Sequence, residues 1–256
     1  MMLGYRFIFI SILFSFSFNF WFESKFDNVE NYYQSGLELY QSKEYKEAKL
    51  LLEKILDNNW ESPQLYYNLG NIYYRLNSIS EAIWAYEMSL LRDPNHHDAL
   101  FNLKLVNVNV KDRIDIPSPP IYLVLYLSIK EKFTTSEWIK INLWFLILIA
   151  FFLLLQKFQI SSKVIKLFTN LVLVISFISF TFLFHSFWNN THISKGIISD
   201  KVVNILSEPN LDSTILFKLH EGLKVSINNS SSDWVEIELI DGKSGWIPAK
   251  QIKIIK

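Results

Sequence analysis

The chain has 256 residues, half of them hydrophobic, with 21 Phe, no Cys and a formal net charge of zero. This size and composition suit two small domains together with membrane segments. The lack of cysteine excludes disulfides, lipoprotein anchoring and thiolate metal sites, but it is compatible with localisation outside the cytoplasm.

The first predicted element is an apolar segment from Phe7 to Phe22, which follows Arg6 as the only charged side chain. This pattern is typical of a secretory signal. Ser15 and Ser17 form a small-x-small pair suited to cleavage, whereas the bulky residues after them favour an uncleaved segment. We therefore expect residues 1–22 to be a signal peptide or a signal anchor.

A repeat with a period of 34 residues follows, since YYQSGLELY from Tyr32 returns as YYNLGNIYY from Tyr66. An interior helix glycine costs about 1 kcal/mol relative to alanine, so Gly70 indicates a close approach of two helices. The period and its pattern of large, small, aromatic and proline positions resemble the tetratricopeptide family, a helix-turn-helix repeat. The second copy carries the pattern at Tyr66, Leu69, Gly70, Tyr73, Ala82, Tyr86 and Pro94. The first copy is weaker, with Trp60 at the proline position.

A third apolar helix through Leu100 and Leu103 has no partner helix behind it, so we expect a capping helix that closes an all-α tetratricopeptide solenoid over 29–110. Residues 23–116 carry 15 acidic and 10 basic side chains. Phosphate binding requires clustered Lys and Arg, and nucleic acid is therefore not an expected partner.

The resemblance implies a partner-binding groove lined by the first helix of each repeat. Its residues in this chain are Tyr33, Leu37, Tyr40, Tyr67, Asn71, Tyr74, Arg75 and Phe101. Tyr33 stands where carboxylate-clamp members of the family have a lysine, which argues against recognition of a free C-terminal carboxylate. Asn71 can hydrogen-bond a peptide backbone. The alternative is that much of this aromatic surface packs within the array or against the linker.

Residues 111–137 are predicted to be a linker with a candidate interfacial segment. Pro117, Pro119 and Pro120 favour an extended spacer. The apolar run IYLVLYLSIK that follows is too short to cross a membrane.

Two transmembrane helices are predicted next, at 138–158 and 165–188. A domain this small could not cover two helices that are apolar all round, which argues against core helices of a soluble protein. The loop between them carries Lys157, Lys163 and Lys166 without an acid. The positive-inside rule places this loop in the cytoplasm and both flanking domains outside it.

Residues 195–256 are predicted to form a small all-β barrel of short strands. Trp234, Glu236 and Glu238 alternate with apolar residues, which is typical of a half-buried strand. Asp241-Gly242 after them indicates a hairpin turn.

This module resembles the bacterial SH3-like domain. The resemblance rests on Val203-Asn204, Glu208-Pro209, Glu221-Gly222, Asp233-Trp234 and the segment 241–247. It implies binding of a cell-wall peptide or a protein segment, with Trp234 and Trp246 as a candidate ligand surface. Burial of both tryptophans in the barrel core is the alternative.

No chemistry of an enzyme is indicated by the sequence. The five histidines have no helical metal-ligand partner at i+4, and no cysteine nucleophile or nucleophile elbow is present. Gly242-Lys243-Ser244 does not end a phosphate-binding loop, because Ile237 stands where the motif needs glycine. We predict no catalytic residue, no metal and no cofactor.

In order, the signal-like segment, tetratricopeptide pair, transmembrane helical hairpin and SH3-like barrel resemble the BatE-like proteins of bacterial aerotolerance operons. The resemblance implies a multidomain protein of the bacterial inner membrane with both terminal domains in the periplasm. It also implies a scaffold acting with other Bat-family membrane proteins, such as those of von Willebrand type, in aerotolerance or envelope stress. The alternative is a receptor for peptidoglycan peptide that binds through the SH3-like domain.

Overall fold

The computed structural model describes residues 28–112, 119–158, 163–192 and 194–256, of which 189–192 are described by their backbone alone. The predicted signal segment at 1–22, part of the proline linker at 113–118 and the loop at 159–162 lie outside these described residues. The helices are α1 (28–41), α2 (Tyr45–Asp57), α3 (Pro63–Arg75), α4 (Ile79–Arg92), α5 (His97–Asn107), α6 (Ile121–Lys130), α7 (Thr135–Lys157) and α8 (Lys163–His192). The strands are β1 (Ser194–Ile198), β2 (Val202–Leu206), β3 (Ile215–His220), β4 (Lys224–Ser230), β5 (Trp234–Glu238), β6 (Ser244–Pro248) and β7 (Ile252–Ile255).

The repeat domain consists of the pairs α1/α2 and α3/α4 followed by α5. The close helix approach predicted at Gly70 is confirmed, because a Cβ there would lie 2.6 Å from Cε1 of Tyr86 on α4. Gly36 has the same relation to Leu52 of α2, at 2.7 Å from Cδ2. Small residues at this position are therefore required by the contact between the two helices of each repeat.

Helix α5 lies where the capping helix is predicted, and one of the two apolar residues that indicated it, Leu103, is buried. Ala99, Leu103 and Val106 are buried, whereas Leu100 is 38% exposed. The His96 side chain caps this helix by accepting a hydrogen bond from the backbone N–H of Ala99.

Helices α7 and α8 form a hairpin, and each is long and apolar enough to cross a membrane, with mean hydropathies of 2.3 and 2.2. Helix α7 begins at Thr135, just before the predicted membrane span at 138–158, and Thr134 and Glu137 form a reciprocal capping box at its N-terminus. Side-chain hydrogen bonds join the two helices between Thr135 and Ser186 (2.8 Å), Asn142 and Ser179 (3.0 Å), and Gln156 and Thr169 (2.7 Å). The remaining surface is mostly exposed and apolar, which is unlike a soluble core helix.

The C-terminal module is a seven-stranded antiparallel sheet in the order β3-β2-β6-β5-β4-β1-β7. The small all-β fold is confirmed, although the sheet is open at β3 and β7 and does not close into a barrel. Strand β5 has the predicted alternation, with Val235 and Ile237 buried. The predicted turn at Asp241-Gly242 joins β5 to β6, and Gly242 adopts φ +84°. Only glycine takes that conformation without strain.

Candidate interaction surfaces

The floor of the predicted groove is organised around Asn71. Its amide oxygen accepts hydrogen bonds from the Tyr86 hydroxyl (2.7 Å) and from the Asn102 amide (2.8 Å). Both bonds fix the orientation of the amide and leave its NH2 group without a partner among the described residues. Tyr33 is held similarly, since its hydroxyl accepts from the Asn68 amide at 2.8 Å.

The eight predicted groove residues divide by exposure. Tyr33, Leu37, Tyr40, Tyr67 and Asn71 are half-buried, and the ring of Tyr67 lies against His96 at a centroid distance of 4.8 Å. The other three are exposed to solvent, namely Tyr74 (36%), Arg75 and Phe101 (67%). Internal packing therefore accounts for part of the aromatic surface, and the exposed three mark where a ligand has room.

The groove ends in a cavity of about 410 Å³ lined by Tyr74, Arg75, Asn77, Ile79 and Asn109. A hydrogen bond to the Tyr40 hydroxyl raises the pKa of Arg75 above its usual value, so the guanidinium is charged at the cavity wall. Three of these residues, Asn77, Ile79 and Asn109, are not among the groove residues predicted from the sequence. Their common signal is position, because they follow the last turns of helices α3 and α5 that line the groove.

Three buried tyrosines support this surface from behind. Burial raises the pKa of Tyr66 to about 12, and it raises the pKa values of Tyr73 and Tyr86 as well. These phenols are therefore protonated near neutral pH and act as donors. The Tyr73 hydroxyl donates to a Glu53 carboxylate oxygen at 2.7 Å.

The sheet carries a second surface, at the predicted Trp234 and Trp246. Neither tryptophan belongs to the buried core. In the β5–β6 pairing Trp246 lies opposite Glu236, so both tryptophans are on the face opposite Val235. A cavity of about 320 Å³ contacts Trp234 but not Trp246; it is lined by Leu211, Ser232, Asp233, Trp234, Pro248, Ala249 and Lys250.

The repeat domain and the sheet pack against each other through α4, an arrangement that the sequence reasoning missed. The indole Nε1 of Trp84 donates to the carbonyl of Ile254 on edge strand β7 at 2.9 Å. The Lys253 amine lies over the Trp84 ring, 4.3 Å from its centroid. Buried side chains of both modules form one continuous hydrophobic core.

Further contacts extend this junction on both sides of Trp84. A Cβ at Gly222 would lie 3.0 Å from methyl groups of both Ile83 and Val110. Lys224 of β4 forms a salt bridge with Glu87 at 2.6 Å. The tail of the repeat domain joins in as well, since Asp112 accepts from the backbone and the ring of His220, and Lys111 contacts the same ring.

Two family models match parts of the chain. The tetratricopeptide repeat matches residues 63–96, and the bacterial SH3 domain matches residues 199–253. No curated protein matches the chain. Both kinds of domain are typically non-catalytic modules for protein interaction, and the described residues contain no cluster of three or more metal-ligand side chains.

Proposed function

We propose that this chain is a membrane-anchored scaffold that captures a segment of another membrane protein in the groove of its tetratricopeptide repeats. One observation carries the proposal: the sheet covers the α4 side of the repeat domain, while the groove side formed by α1, α3 and α5 remains open. Because the sheet occupies the α4 side, the groove is an open face of the repeat domain that a partner can reach.

The chemistry of the groove favours an extended segment with apolar side chains. Tyr74 and Phe101 offer exposed aromatic area, and the Asn71 NH2 is placed to donate to a backbone carbonyl. Arg75 at the end of the groove favours an acidic side chain there, since bidentate pairing suits a guanidinium and a carboxylate. Two repeats and a cap bury little area, so we expect weak affinity that confinement to one membrane strengthens.

The order of modules supports a finer proposal, in which the chain works in a Bat-type complex with von Willebrand-type membrane proteins. Its role there would be in aerotolerance or envelope stress. The hairpin α7–α8 would cross the inner membrane with the Lys157, Lys163 and Lys166 loop in the cytoplasm, so that repeat domain and sheet face the periplasm.

The cavity beside Trp234 supports a second candidate, a receptor for peptidoglycan peptide. Asp233 and Lys250 line this cavity together with the indole ring. Opposite charges beside an aromatic surface suit a short peptide that carries both an amine and a carboxylate.

Capture from detergent extracts by the full-length chain separates these two candidates. We expect the double variant Tyr74→Ala/Arg75→Ala to lose capture of the von Willebrand-type membrane partner, because both side chains are exposed and line the groove. The matched variant Trp234→Ala on the sheet should retain it. Retained capture by the groove variant would overturn the scaffold proposal, and binding of peptidoglycan peptide by the chain that is lost in Trp234→Ala would support the receptor.

Orientation is testable because the chain has no native cysteine. We expect a cysteine at Ser230 to react with an impermeant thiol reagent in intact cells whose outer membrane has been permeabilised. A cysteine at Ser161 should be protected. The opposite labelling pattern would overturn the periplasmic placement.

A further inference from the structure

Helix α6 exposes an apolar surface that nothing in the described structure covers. Its residues from Ile121 to Ile129 carry no charge. Its exposed apolar side chains are Ile121, Tyr122, Leu123, Val124, Leu125 and Ile129, with Ile121 82% and Leu125 61% exposed. Soluble surfaces rarely leave a contiguous apolar patch of this kind open to water.

The position of α6 is fixed by its contacts with α8. The Tyr126 ring stacks on Phe182 at a centroid distance of 5.1 Å, and its hydroxyl hydrogen-bonds Nδ1 of His185 at 2.6 Å. Phe182 and His185 precede Trp188, where the apolar span of α8 ends, by six and three residues. At about 1.5 Å per residue these contacts lie roughly 9 and 5 Å inside that span.

Helix α7 meets α6 at the same level. Trp138 stacks on the same Phe182 ring at 5.2 Å, and its indole N–H donates to the Lys130 carbonyl at the end of α6. Helices α6, α7 and α8 are therefore in contact at this level of the hairpin.

The polar groups in the middle of α6 are satisfied within the protein. Ser128 donates its hydroxyl to the Leu125 carbonyl at 2.8 Å, and the Tyr126 hydroxyl pairs with His185. A segment in hydrocarbon requires this, because no water is present to accept those bonds. The two ends of α6 differ from this apolar middle, since Pro120 precedes the helix and the charged residue Lys130 is its last residue.

We propose that α6, like α7 and α8, is a membrane-embedded element, which lies along the edge of the bilayer with its apolar surface against the acyl chains of the leaflet nearest the two globular modules. The inference rests on the proposed membrane anchoring by α7 and α8. It also gives α6 a role, because the Asn95 side chain donates to the Lys132 carbonyl just after this helix. The embedded helix thereby holds the repeat domain at a set height above the lipid surface.

Single cysteines in the otherwise cysteine-free full chain test this in phospholipid vesicles. An environment-sensitive nitrobenzoxadiazole label is placed at Leu125 of α6, at Phe180 on the exposed side of α8, and at Ser230 of the sheet. Phospholipid with a nitroxide near the headgroup then quenches labels that contact lipid, and aqueous iodide quenches labels that contact water.

We expect the label at 125 to show blue-shifted emission, strong quenching by nitroxide lipid and resistance to iodide, while the label at 230 shows the reverse. A label at 125 that behaves like the one at 230 overturns the proposal. Protection of 125 from both quenchers also overturns it, because a protein surface would then cover α6. If the label at position 180 is quenched by iodide alone, the result contradicts membrane anchoring by α7 and α8, which is distinguishable from a failure of the α6 proposal.

Discussion

The two faces of the repeat domain differ in what covers them, since helix α4 packs against the sheet while the groove formed by α1, α3 and α5 is open. On one face, Ile83 and Trp84 of α4 pack into the sheet and share its core. On the other, Tyr74 and Phe101 are exposed along the groove. The comparison teaches that a short repeat domain can gain a packing neighbour from an unrelated fold while its groove face stays open.

The largest effect should come from placing a charge on each face. Ile83→Asp buries a carboxylate at a position that is 1% exposed, and we expect it to cost about 4 kcal/mol or more of unfolding free energy. Phe101→Asp on the open face should change stability by less than about 0.5 kcal/mol. Thermal unfolding of the full chain in detergent, followed by circular dichroism, measures both. Equal destabilisation by the two variants would contradict the difference between the faces.

Substitutions at two glycines in turns of the sheet distinguish the cost of overpacking against the repeat domain from the cost of backbone strain. Gly222 and Gly242 both have positive φ, at +87° and +84°. A Cβ at Gly242 meets nothing within 4 Å, whereas one at Gly222 presses on Ile83 and Val110. We expect Gly242→Ala to cost about 1 kcal/mol from strain and Gly222→Ala about 1 kcal/mol more from overpacking. Denaturant unfolding measures both losses of free energy. If Gly222→Ala is destabilised no more than its control Gly242→Ala, the result would argue against packing at the junction.

The hydrogen bond across the junction should have a smaller effect. Trp84→Phe keeps an aromatic ring over Lys253 but removes the donor to the Ile254 carbonyl. We expect a loss of about 1 kcal/mol. The same substitution at Trp234, which makes no such junction bond, serves as control in parallel denaturant titrations. Comparable losses in both would indicate a general effect of shortening tryptophan.

The smallest effect concerns the pH dependence of stability. Burial at the junction lowers the pKa of Lys253 below its usual 10.5. Between the folded pKa and 10.5 the unfolded chain binds more protons, so stability rises with pH in that window, and the cost of the buried charge is fully present below it. Lys253→Met should flatten this rise, and Lys250→Met on the exposed surface should not. Unfolding midpoints of the two variants, measured up to pH 10, test this expectation. Above pH 10 the ionisation of the buried tyrosines has the opposite effect on stability and would mask the trend.

Much of the repeat domain could be predicted from the sequence, because the 34-residue period shows which positions must be small for the two helices of a repeat to touch. Gly70 recurs 34 residues after Gly36, and both contact the second helix of their repeat as expected. The alternation of polar and apolar residues along β5 likewise predicted which face of the strand is buried. These patterns are local, since each depends on contacts within one element or between neighbours along the chain.

The junction between the modules was not predicted, because it joins segments more than 100 residues apart. A signal existed in the repeat itself. Ile83 and Trp84 correspond to Lys49 and Leu50 one period earlier, and Leu50 is 64% exposed. An apolar pair where the sister repeat has an exposed position marks a surface that something covers. The groove residues remain a prediction, since exposure shows room for a ligand without identifying one.

The Trp84 bond to Ile254 has a consequence for aggregation. Edge strands offer unpaired backbone groups to other chains, and proteins avoid self-association by covering them. Here helix α4 lies along the β7 edge, and at the opposite edge Asp112 occupies the backbone N–H of His220 on β3. Cutting the repeat domain away would uncover both edges at once. The excised sheet should therefore polymerise through its strands during expression, while the intact chain does not.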